Sequence, residues 1–275
     1  MSQATVAIPI PSERRGLDRL TGAVSDSFAM TWRNVITLRR VPQLLVFSTV
    51  QPVIFVLLFV YVFGGAVQNA SGLPYVDYLI PGIFVQMSVF GAMGTAVGLA
   101  ADVKSGLLER FQALPMARSA VLAGRTSADV VRNVFVMTLV SLVGFLVGFR
   151  VHTDALGYLG GVVLVLLFGY SLSWVFATVG LAVKDPETAQ AAAFPIMAPL
   201  VFASSVFVPV ASMPSWLQPF AEHQPVSVVA SAARSLMSGT PSDNYLIQAL
   251  AWIVAIVAIV AISAPLAVRR YRRVF

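Results

Sequence analysis

The chain contains no cysteine, so disulfide bonds, thiol catalysis and cysteine-ligated metal sites are all excluded. Histidine is almost as scarce, because only His152 and His223 are present. Both lie between apolar runs, where a lone histidine is usually solvated, and neither lies at metal-ligand spacing from other ligands. We therefore predict no metal site and no catalytic set in this chain.

Charged residues are also scarce. They make up 11% of the 275 residues, whereas hydrophobic residues make up 58%, and the mean hydropathy is +0.84. A soluble domain carries about 25% charged residues. This deficit, together with several runs of about 20 apolar residues, predicts a chain that lies in a lipid bilayer.

The apolar runs predict an all-α polytopic membrane protein with six spans. These spans cover residues 44–63, 78–101, 128–149, 156–183, 189–208 and 246–268. Pro52, Pro195 and Pro199 lie inside spans and predict packing kinks rather than gates. Glycines in the second span predict close helix–helix packing, with a substrate surface as the alternative interpretation.

The net charge of +6 does not indicate nucleic acid, because the basic residues lie between the spans and at the two ends. If both termini are cytoplasmic, sixteen of the eighteen Lys and Arg residues are on that side, and only Arg150 and Arg234 are outside. Such a bias sets the orientation of membrane proteins. We predict a multi-pass plasma-membrane protein with both termini in the cytoplasm.

Three segments flank or interrupt the spans. Residues 1–16 are predicted to be a loose cytoplasmic tail, and residues 17–41 an amphipathic helix at the membrane interface that includes Phe28, Trp32 and Arg33. The alternative for this helix is packing on a small soluble domain. Residues 209–244 predict short helices on or dipping into the outer side, and residues 269–275 form a basic cytoplasmic tail.

Almost no ionisable side chain is found within the predicted spans. Arg132 is in the third span, but it lies near the inner end and its side chain can reach the interface. Coupling to a proton or sodium gradient is therefore disfavoured. A phosphate-binding loop requires a Gly-Lys pair, but Lys104 and Lys184 each follow valine. Any ATP must be hydrolysed by a partner.

The loop at residues 102–125 is longer than a simple turn requires. It predicts a short helix at residues 106–114 that Pro115 ends, with apolar side chains displayed among charged ones. Such a loop is typical of a segment that a partner on the same side of the membrane binds.

Two stretches resemble the ABC-2 type transporter permeases. The first is KSGLLERFQALPMARSAVLAGR at residues 104–125, and the second is MPSWLQPFAEHQPVSVVASAARSL at residues 213–236. Within the second, the order His-Gln-Pro-Val-Ser is similar to that of the daunorubicin-resistance subgroup of bacterial drug exporters. The resemblance covers nearly the whole chain.

The resemblance implies a half-transporter. Two six-span permeases, identical or sister subunits, pair around a substrate route, and two cytoplasmic ATP-binding subunits hold ATP and Mg. No cofactor is bound by the permease itself. The loop between the second and third spans becomes the coupling helix, and the substrate is a small hydrophobic or amphiphilic compound such as a drug, an antibiotic or a lipid. Alternatives are a polysaccharide or glycolipid exporter, a non-transporting membrane scaffold and, last, a membrane enzyme.

The resemblance and the residue types together nominate several groups of candidate residues. For coupling to the ATPase they are Lys104, Leu107, Leu108, Glu109, Arg110, Phe111, Arg118 and Arg125. The alternative for Leu108 and Phe111 is packing against the chain's own interfacial helix. For the substrate pathway the candidates are Gln51, Gln86, Ser88, Thr95 and Phe202, and for the exit region Trp216, Phe220, His223 and Gln224.

Overall fold

The computed structural model describes residues 28–29, 31–32, 36, 42–67, 74–107, 118–239 and 244–274. In these ranges the chain forms helices and turns, and no strand. In chain order the elements are α1 (Pro42–Leu58), a π-helical turn (Phe59–Phe63), α2 (Gly64–Val67), α3 (Tyr75–Lys104), α4 (Arg118–Val147), α5 (Ala155–Val183), α6 (Pro186–Phe202), a 3₁₀ turn (Val210–Ser212), α7 (Gln218–His223), α8 (Pro225–Ser238) and α9 (Tyr245–Val274).

Four helical segments are long and apolar enough to cross a membrane: Tyr75–Lys104, Leu122–Val147, Ala155–Val183 and Tyr245–Ile262. A shorter apolar segment covers Thr49–Phe63. An all-helical chain with several such segments has the architecture of a multi-pass membrane protein. Helix α6 has 17 residues and ends at Phe202, whereas the sequence predicts a span that continues to residue 208.

Helix α3 is the centre of the bundle. It packs most extensively against α5 and also contacts α6, α4 and α8. In the most apolar 18-residue stretch of α3, 72% is buried inside the protein, whereas the corresponding share of α9 is 17%. Helix α3 is therefore surrounded by protein, and α9 presents most of its surface outward.

Polar contacts define the two ends of the bundle. The Lys104 end comprises the end of α3, the start of α4 and the turn between α5 and α6, because Lys104 pairs with Asp185 there. The short-helix end comprises the start of α3, the connection 148–154, residues 203–217, and helices α7 and α8. Tyr78 bonds the carbonyl of Ser205 at this end, at 2.7 Å.

Local sequence signals set several helix ends. Asp154 accepts a hydrogen bond from the backbone N–H of Gly157 at 2.8 Å and caps α5, and Asp185 does the same for α6 through Thr188 at 3.0 Å. Gly239 follows α8 with φ of 70°, a left-handed conformation that glycine adopts without steric cost.

Helix α8 is short but deeply buried. Its 14 residues contact α5, α3 and α9, and nine of them are buried. Here the helix is enclosed between longer neighbours, in the region where the sequence predicts short helices dipping toward the membrane.

Candidate functional site

Two ion pairs connect elements at the Lys104 end. Lys104 pairs with Asp185 at 2.7 Å, and Arg125 pairs with Asp102 at 3.3 Å. The hydrogen bond from Lys104, followed by those from the backbone and hydroxyl of Thr188, holds the pKa of the Asp185 carboxyl well below its usual range. These contacts tie the end of α3 both to α4 and to the turn that begins α6.

The predicted coupling residues lie at this end or beyond the described part of the chain. Leu107 is half-buried just after α3, and Arg118 is the first residue of α4. Leu108, Glu109, Arg110 and Phe111 lie outside the described residues, as does Arg33 of the predicted interfacial helix. Phe28 and Trp32 are described as helical, and both side chains are exposed.

The glycines of α3 accommodate arginine side chains of α4. A Cβ atom added at Gly98 would overlap the guanidinium of Arg125, and one at Gly91 would lie 2.8 Å from Nη2 of Arg132. The sequence predicts that these glycines let helix backbones approach closely. Along this face they instead make room for long charged side chains to lie flat against α3.

A buried carboxylate belongs to the same interface, and the sequence analysis overlooked it. Asp129 is buried, accepts a hydrogen bond from the hydroxyl of Thr95, and pairs with Arg132 at 3.2 Å. The expectation that the spans hold almost no ionisable group is therefore wrong for α4. Because the two opposite charges pair with each other, the cost of burying either one is reduced.

Gln86 and Ser88, both predicted pathway residues, are completely buried on α3. Neither the amide atoms of Gln86 nor the hydroxyl of Ser88 has a hydrogen-bond partner among the described residues. Ser88 packs where a Cβ atom added at Gly169 of α5 would lie 2.9 Å from it. A buried polar group without a partner is costly, so these side chains mark the least satisfied part of the bundle.

At the short-helix end, Arg234 of α8 bonds three backbone carbonyls. Its Nε donates to Tyr78 at 2.7 Å, and its Nη2 donates to Ser205 and, at 3.1 Å, to Val206. The guanidinium also lies 3.7 Å from the centre of the Tyr78 ring. We call this arrangement the arginine clamp. It joins the first turn of α3, the segment after α6, and α8.

The arginine clamp has supporting contacts on both sides. The hydroxyl of Tyr75 donates to the carbonyl of Phe207 at 3.1 Å, and the hydroxyl of Ser227 accepts from the backbone N–H of Ser205 at 2.9 Å. A Cβ atom added at Gly82 would collide with the carbonyl of Val206. Residues 205–207 are therefore held in one position by α3 and α8 together.

Gln224 is the one predicted exit residue that is buried at the short-helix end. It is buried, caps α8, and its Nε2 donates to the carbonyl of Leu200 at 2.9 Å and of Ala203 at 3.3 Å. These bonds use carbonyls at the end of α6, where the helix stops. The amide thus connects the end of α6 to the start of α8.

A buried carboxylate also anchors the connection between α4 and α5. Asp77 accepts a hydrogen bond from the backbone N–H of Arg150 at 2.8 Å, and its second oxygen lies 2.8 Å from Nε2 of His152. The sequence predicts His152 to be solvated. The structure gives it a specific partner, because the start of α3 brings Asp77 to the same end.

The remaining candidates for the substrate pathway and the exit region lie outside the clusters described above. Gln51 is exposed on α1, and Phe202 is exposed at the end of α6. Trp216, Phe220 and His223 are exposed around α7. In the described ranges no three His, Asp or Glu side chains cluster as metal ligands would.

Sequence reasoning missed the central residue of the short-helix end. It placed Arg234 on the outer side, in a region of short helices, whereas the residue is only 6% exposed. A single arginine in an otherwise uncharged helix was the available signal. Its partners are backbone carbonyls far away in the sequence, which residue types alone do not reveal.

These features define a multi-pass, all-helical membrane protein whose described residues contain paired structural charges and no metal cluster. The family model of the ABC-2 type transporter matches residues 26–238. That match includes α1 to α8, and with them the arginine clamp. The chain belongs to the ABC-2 type transporter family.

Relatives that are named as permeases match over most of their length. The chain is 34% identical over 255 residues to the daunorubicin resistance ABC transporter permease protein DrrB1 of Streptomyces coeruleorubidus, covering 91% of this chain and 87% of the relative. It is 30% identical over 230 residues to the probable doxorubicin resistance ABC transporter permease protein DrrC of Mycobacterium tuberculosis, covering 82% and 80%. The putative transport permease ycf38 of Pyropia yezoensis is 26% identical over 220 residues, covering 76% and 73%.

Proposed function

We propose that this chain is the membrane permease subunit of an ATP-driven exporter that moves a hydrophobic or amphiphilic, drug-like compound out of the cell. The observation that carries the proposal is the family match over residues 26–238, together with relatives that are named drug-resistance permeases. Six spans with both termini cytoplasmic are part of this proposal, as is pairing with a second permease. The sixteen-to-two distribution of basic residues supports that orientation.

The proposal assigns ATP hydrolysis to a separate cytoplasmic subunit, present in two copies. Leu107, Leu108 and Phe111 would contact this subunit, with Glu109 and Arg110 beside them. The ion pair between Lys104 and Asp185 supports a mechanical role for the loop, because it links Lys104, the last residue of α3, directly to the turn before α6. Movement of the loop would therefore act on α3 and α6 together.

The proposed substrate route involves the helices that surround α3. Gln86 and Ser88 are buried polar groups with unused hydrogen-bonding capacity, so a shift between α3 and its neighbours would offer them to a polar part of the substrate. Thr95 is less available because it already bonds Asp129. At the short-helix end, the exposed rings of Trp216 and Phe220 would border the exit.

The decisive experiment is co-purification with an ATP-binding subunit encoded beside this chain. The tagged chain is expressed with that subunit as wild type, as Phe111→Asp and as the matched control Trp216→Asp. A charge at position 111 is expected to disrupt apolar docking, whereas the same change at the exposed Trp216, at the other end of the bundle, is not. We expect a complex that hydrolyses ATP with wild type and control, and loss of the subunit with Phe111→Asp.

Two outcomes would contradict the proposal at different points. If the subunit is captured equally by all three proteins, the loop is not the docking element, although the exporter assignment stands. If no ATP-binding subunit is captured by any of them, a non-transporting scaffold explains the chain better.

A further inference from the structure

Helix α9 carries four arginines within five positions near its end. It is one continuous α-helix of 30 residues from Tyr245 to Val274, whereas its candidate membrane span covers the 18 residues Tyr245–Ile262. The helix therefore continues past that span and includes Arg269, Arg270, Arg272 and Arg273. Because these residues belong to one helix, the angular position of each can be related to the sides of the span.

The side of α9 that faces the protein is marked by its buried residues. Within Tyr245–Ile262 these are Ala249, Ile253, Ile256 and Val260, at spacings of four, three and four. They form one stripe, along which α9 packs against α5 and α8. On the other sides of the helix, Val254 is 67% exposed and Ile262 is 69% exposed. In a helix that spans a membrane, those outward sides face lipid.

The helical rotation places three of the arginine positions on the outward side. An α-helix has about 3.6 residues per turn, so positions that are seven, eleven or eighteen residues apart lie on the same side. Arg269 and Arg273 follow the exposed Ile262 by seven and eleven positions. Arg272 follows the exposed Val254 by eighteen positions. We call Arg269, Arg272 and Arg273 the outward arginines.

The other two positions in this stretch agree with that assignment. Position 271 follows the buried Val260 by eleven, so it continues the stripe that faces the protein, and it is occupied by tyrosine. Arg270 is at the edge between the two sides. The bias of basic residues toward one side of the membrane would be served equally well by an arginine at position 271. The order Arg-Arg-Tyr-Arg-Arg instead leaves the protein-facing position uncharged.

The outward arginines begin where the hydrocarbon core of the membrane ends. The predominantly apolar run of α9 extends from Leu246 to Val268, and a helix crosses a core of about 30 Å with about 20 residues. Arg269 therefore lies just beyond the core, and Arg273 lies about 6 Å farther along the helix axis. This is the depth of the phospholipid headgroups. Guanidinium groups suit phosphate because they form two parallel hydrogen bonds with it.

The position of α9 in the bundle favours lipid over a protein partner. Its most apolar stretch is 17% buried, the lowest share among the four candidate spans in the described ranges. Helix α9 therefore lies at the edge of the bundle. Phospholipids surround such an edge, whereas a cytoplasmic subunit docks beneath the bundle.

We propose that the outward arginines form a binding site for the headgroups of anionic phospholipids in the leaflet where α9 ends. In the proposed orientation this is the cytoplasmic leaflet. The negative charge of the headgroups complements the arginines, and each basic residue near such a surface strengthens binding by about fivefold. Bound headgroups fix the depth of the least enclosed of the four candidate spans.

The test measures lipid preference next to the site itself. Because the chain has no cysteine, Phe275→Cys provides a single attachment point for a fluorophore beside the end of α9. The labelled full chain is reconstituted into phosphatidylcholine vesicles with a small fraction of nitroxide-labelled lipid. This quencher is either phosphatidylglycerol or phosphatidylcholine. The ratio of quenching by the two lipids gives the local preference for an anionic headgroup.

Three variants of the labelled chain are compared with the unmodified sequence. Arg269→Gln removes one outward charge, and its matched control Arg270→Gln removes one charge from the edge position. The exchange variant Arg269→Tyr/Tyr271→Arg moves one arginine to the protein-facing position and leaves composition and net charge unchanged. Thermal unfolding in detergent checks that each variant is folded. If the exchange variant does not fold, the comparison of Arg269→Gln with Arg270→Gln decides.

We expect the unmodified sequence to prefer phosphatidylglycerol. Arg269→Gln and the exchange variant each lower this preference by about fivefold, because each removes one arginine from the outward side. Arg270→Gln lowers it by less than about twofold, because the edge position contributes less.

Three results would overturn the proposal: no preference in the unmodified sequence, equal losses for Arg269→Gln and Arg270→Gln, or an unchanged preference in the exchange variant. Each would mean that the arginines supply only general positive charge. None of them affects the export function, because the measurement uses no ATP-binding subunit and no substrate. It also does not depend on the orientation of the chain, because the quencher is in both leaflets.

Co-purification with the ATP-binding subunit tests the remaining alternative. If Arg269→Gln loses that subunit and keeps its lipid preference, the outward arginines contact protein and the lipid site is wrong. If Arg269→Gln keeps the subunit and loses the preference, lipid is the partner.

Discussion

Arg234 is a buried charge that is balanced by carbonyl dipoles rather than by a carboxylate. Its described hydrogen-bond acceptors are the backbone oxygens of Tyr78, Ser205 and Val206 and the hydroxyl of Ser205. The planar fork of a guanidinium suits several acceptors at once, which a lysine ammonium cannot match. The residue is therefore specified by geometry as well as by charge.

Replacing Arg234 tests this interpretation directly. Arg234→Met removes the guanidinium from three carbonyls, of which that of Ser205 keeps its bond from the hydroxyl of Tyr78. We expect it to lower the free energy of unfolding by on the order of 3–5 kcal/mol. Arg234→Lys keeps the charge but is expected to recover only part of this loss. Thermal unfolding of the purified protein in detergent measures both. Equal stability of wild type and Arg234→Met would show that the arginine clamp contributes little.

At the residue scale, the sequence identified polar residues of interest better than it predicted the partners that surround them. It nominated Gln86, Ser88 and Gln224 as polar groups of interest, and the structure buries all three. It counted Arg234 among the outer basic residues without predicting its burial, and it overlooked Asp129. The acceptors of Arg234 are backbone carbonyls far away in the sequence, which leave no local pattern. Asp129, in contrast, pairs with Arg132 three residues later on the same helix, a spacing that the sequence does show.

At the scale of elements, the contact between α3 and α5 depends on a close approach at one glycine. A Cβ atom added at Gly180 would collide with the backbone of Ala96, whereas one added at Gly160 of the same helix would lie 3.9 Å from Leu236. The first position has rigid backbone opposite it, and the second has a side chain at ordinary contact distance. The two glycines therefore form a matched pair.

We expect Gly180→Ala to destabilise the protein by about 1–3 kcal/mol, because the two helices must separate. Gly160→Ala should be neutral or slightly stabilising, since alanine favours the helix by about 0.5–1 kcal/mol over glycine. Thermal unfolding in detergent measures both. Adding Ala96→Gly should not rescue Gly180→Ala, because the collision involves backbone atoms. If both alanine variants unfold like wild type, the helices have more room than the structure indicates.

Helix positions follow from apolar runs, but helix ends depend on tertiary contacts. The predicted second and fourth spans, residues 78–101 and 156–183, lie within α3 and α5. The predicted fifth span runs past the end of α6 at Phe202. Residues 203–207 are apolar enough to continue a helix. Their backbone groups instead bond Gln224, Tyr78 and Arg234, and those bonds depend on elements that local sequence does not reveal.

At the scale of the whole molecule, the orientation in the membrane can be tested because the chain has no cysteine. Glu187 and Glu222 are both exposed, one at the Lys104 end and the other at the short-helix end. We expect Glu222→Cys to react with a membrane-impermeant maleimide in intact cells, and Glu187→Cys to react only after permeabilisation. Reaction of both, or of Glu187→Cys alone, in intact cells would contradict the proposed orientation.

The arginine clamp also bears on how the chain is made. Arg234 follows Tyr78, its partner, by 156 positions in the sequence, so α3 is synthesised long before the guanidinium exists. Until α8 docks, that charge has to stay near water, because a lone arginine in hydrocarbon is costly. Enclosing α8 is therefore one of the last steps of biogenesis. A copy whose synthesis stops before residue 234 lacks the guanidinium that joins the carbonyls of Tyr78, Ser205 and Val206, so fewer bonds connect the start of α3 to the segment after α6.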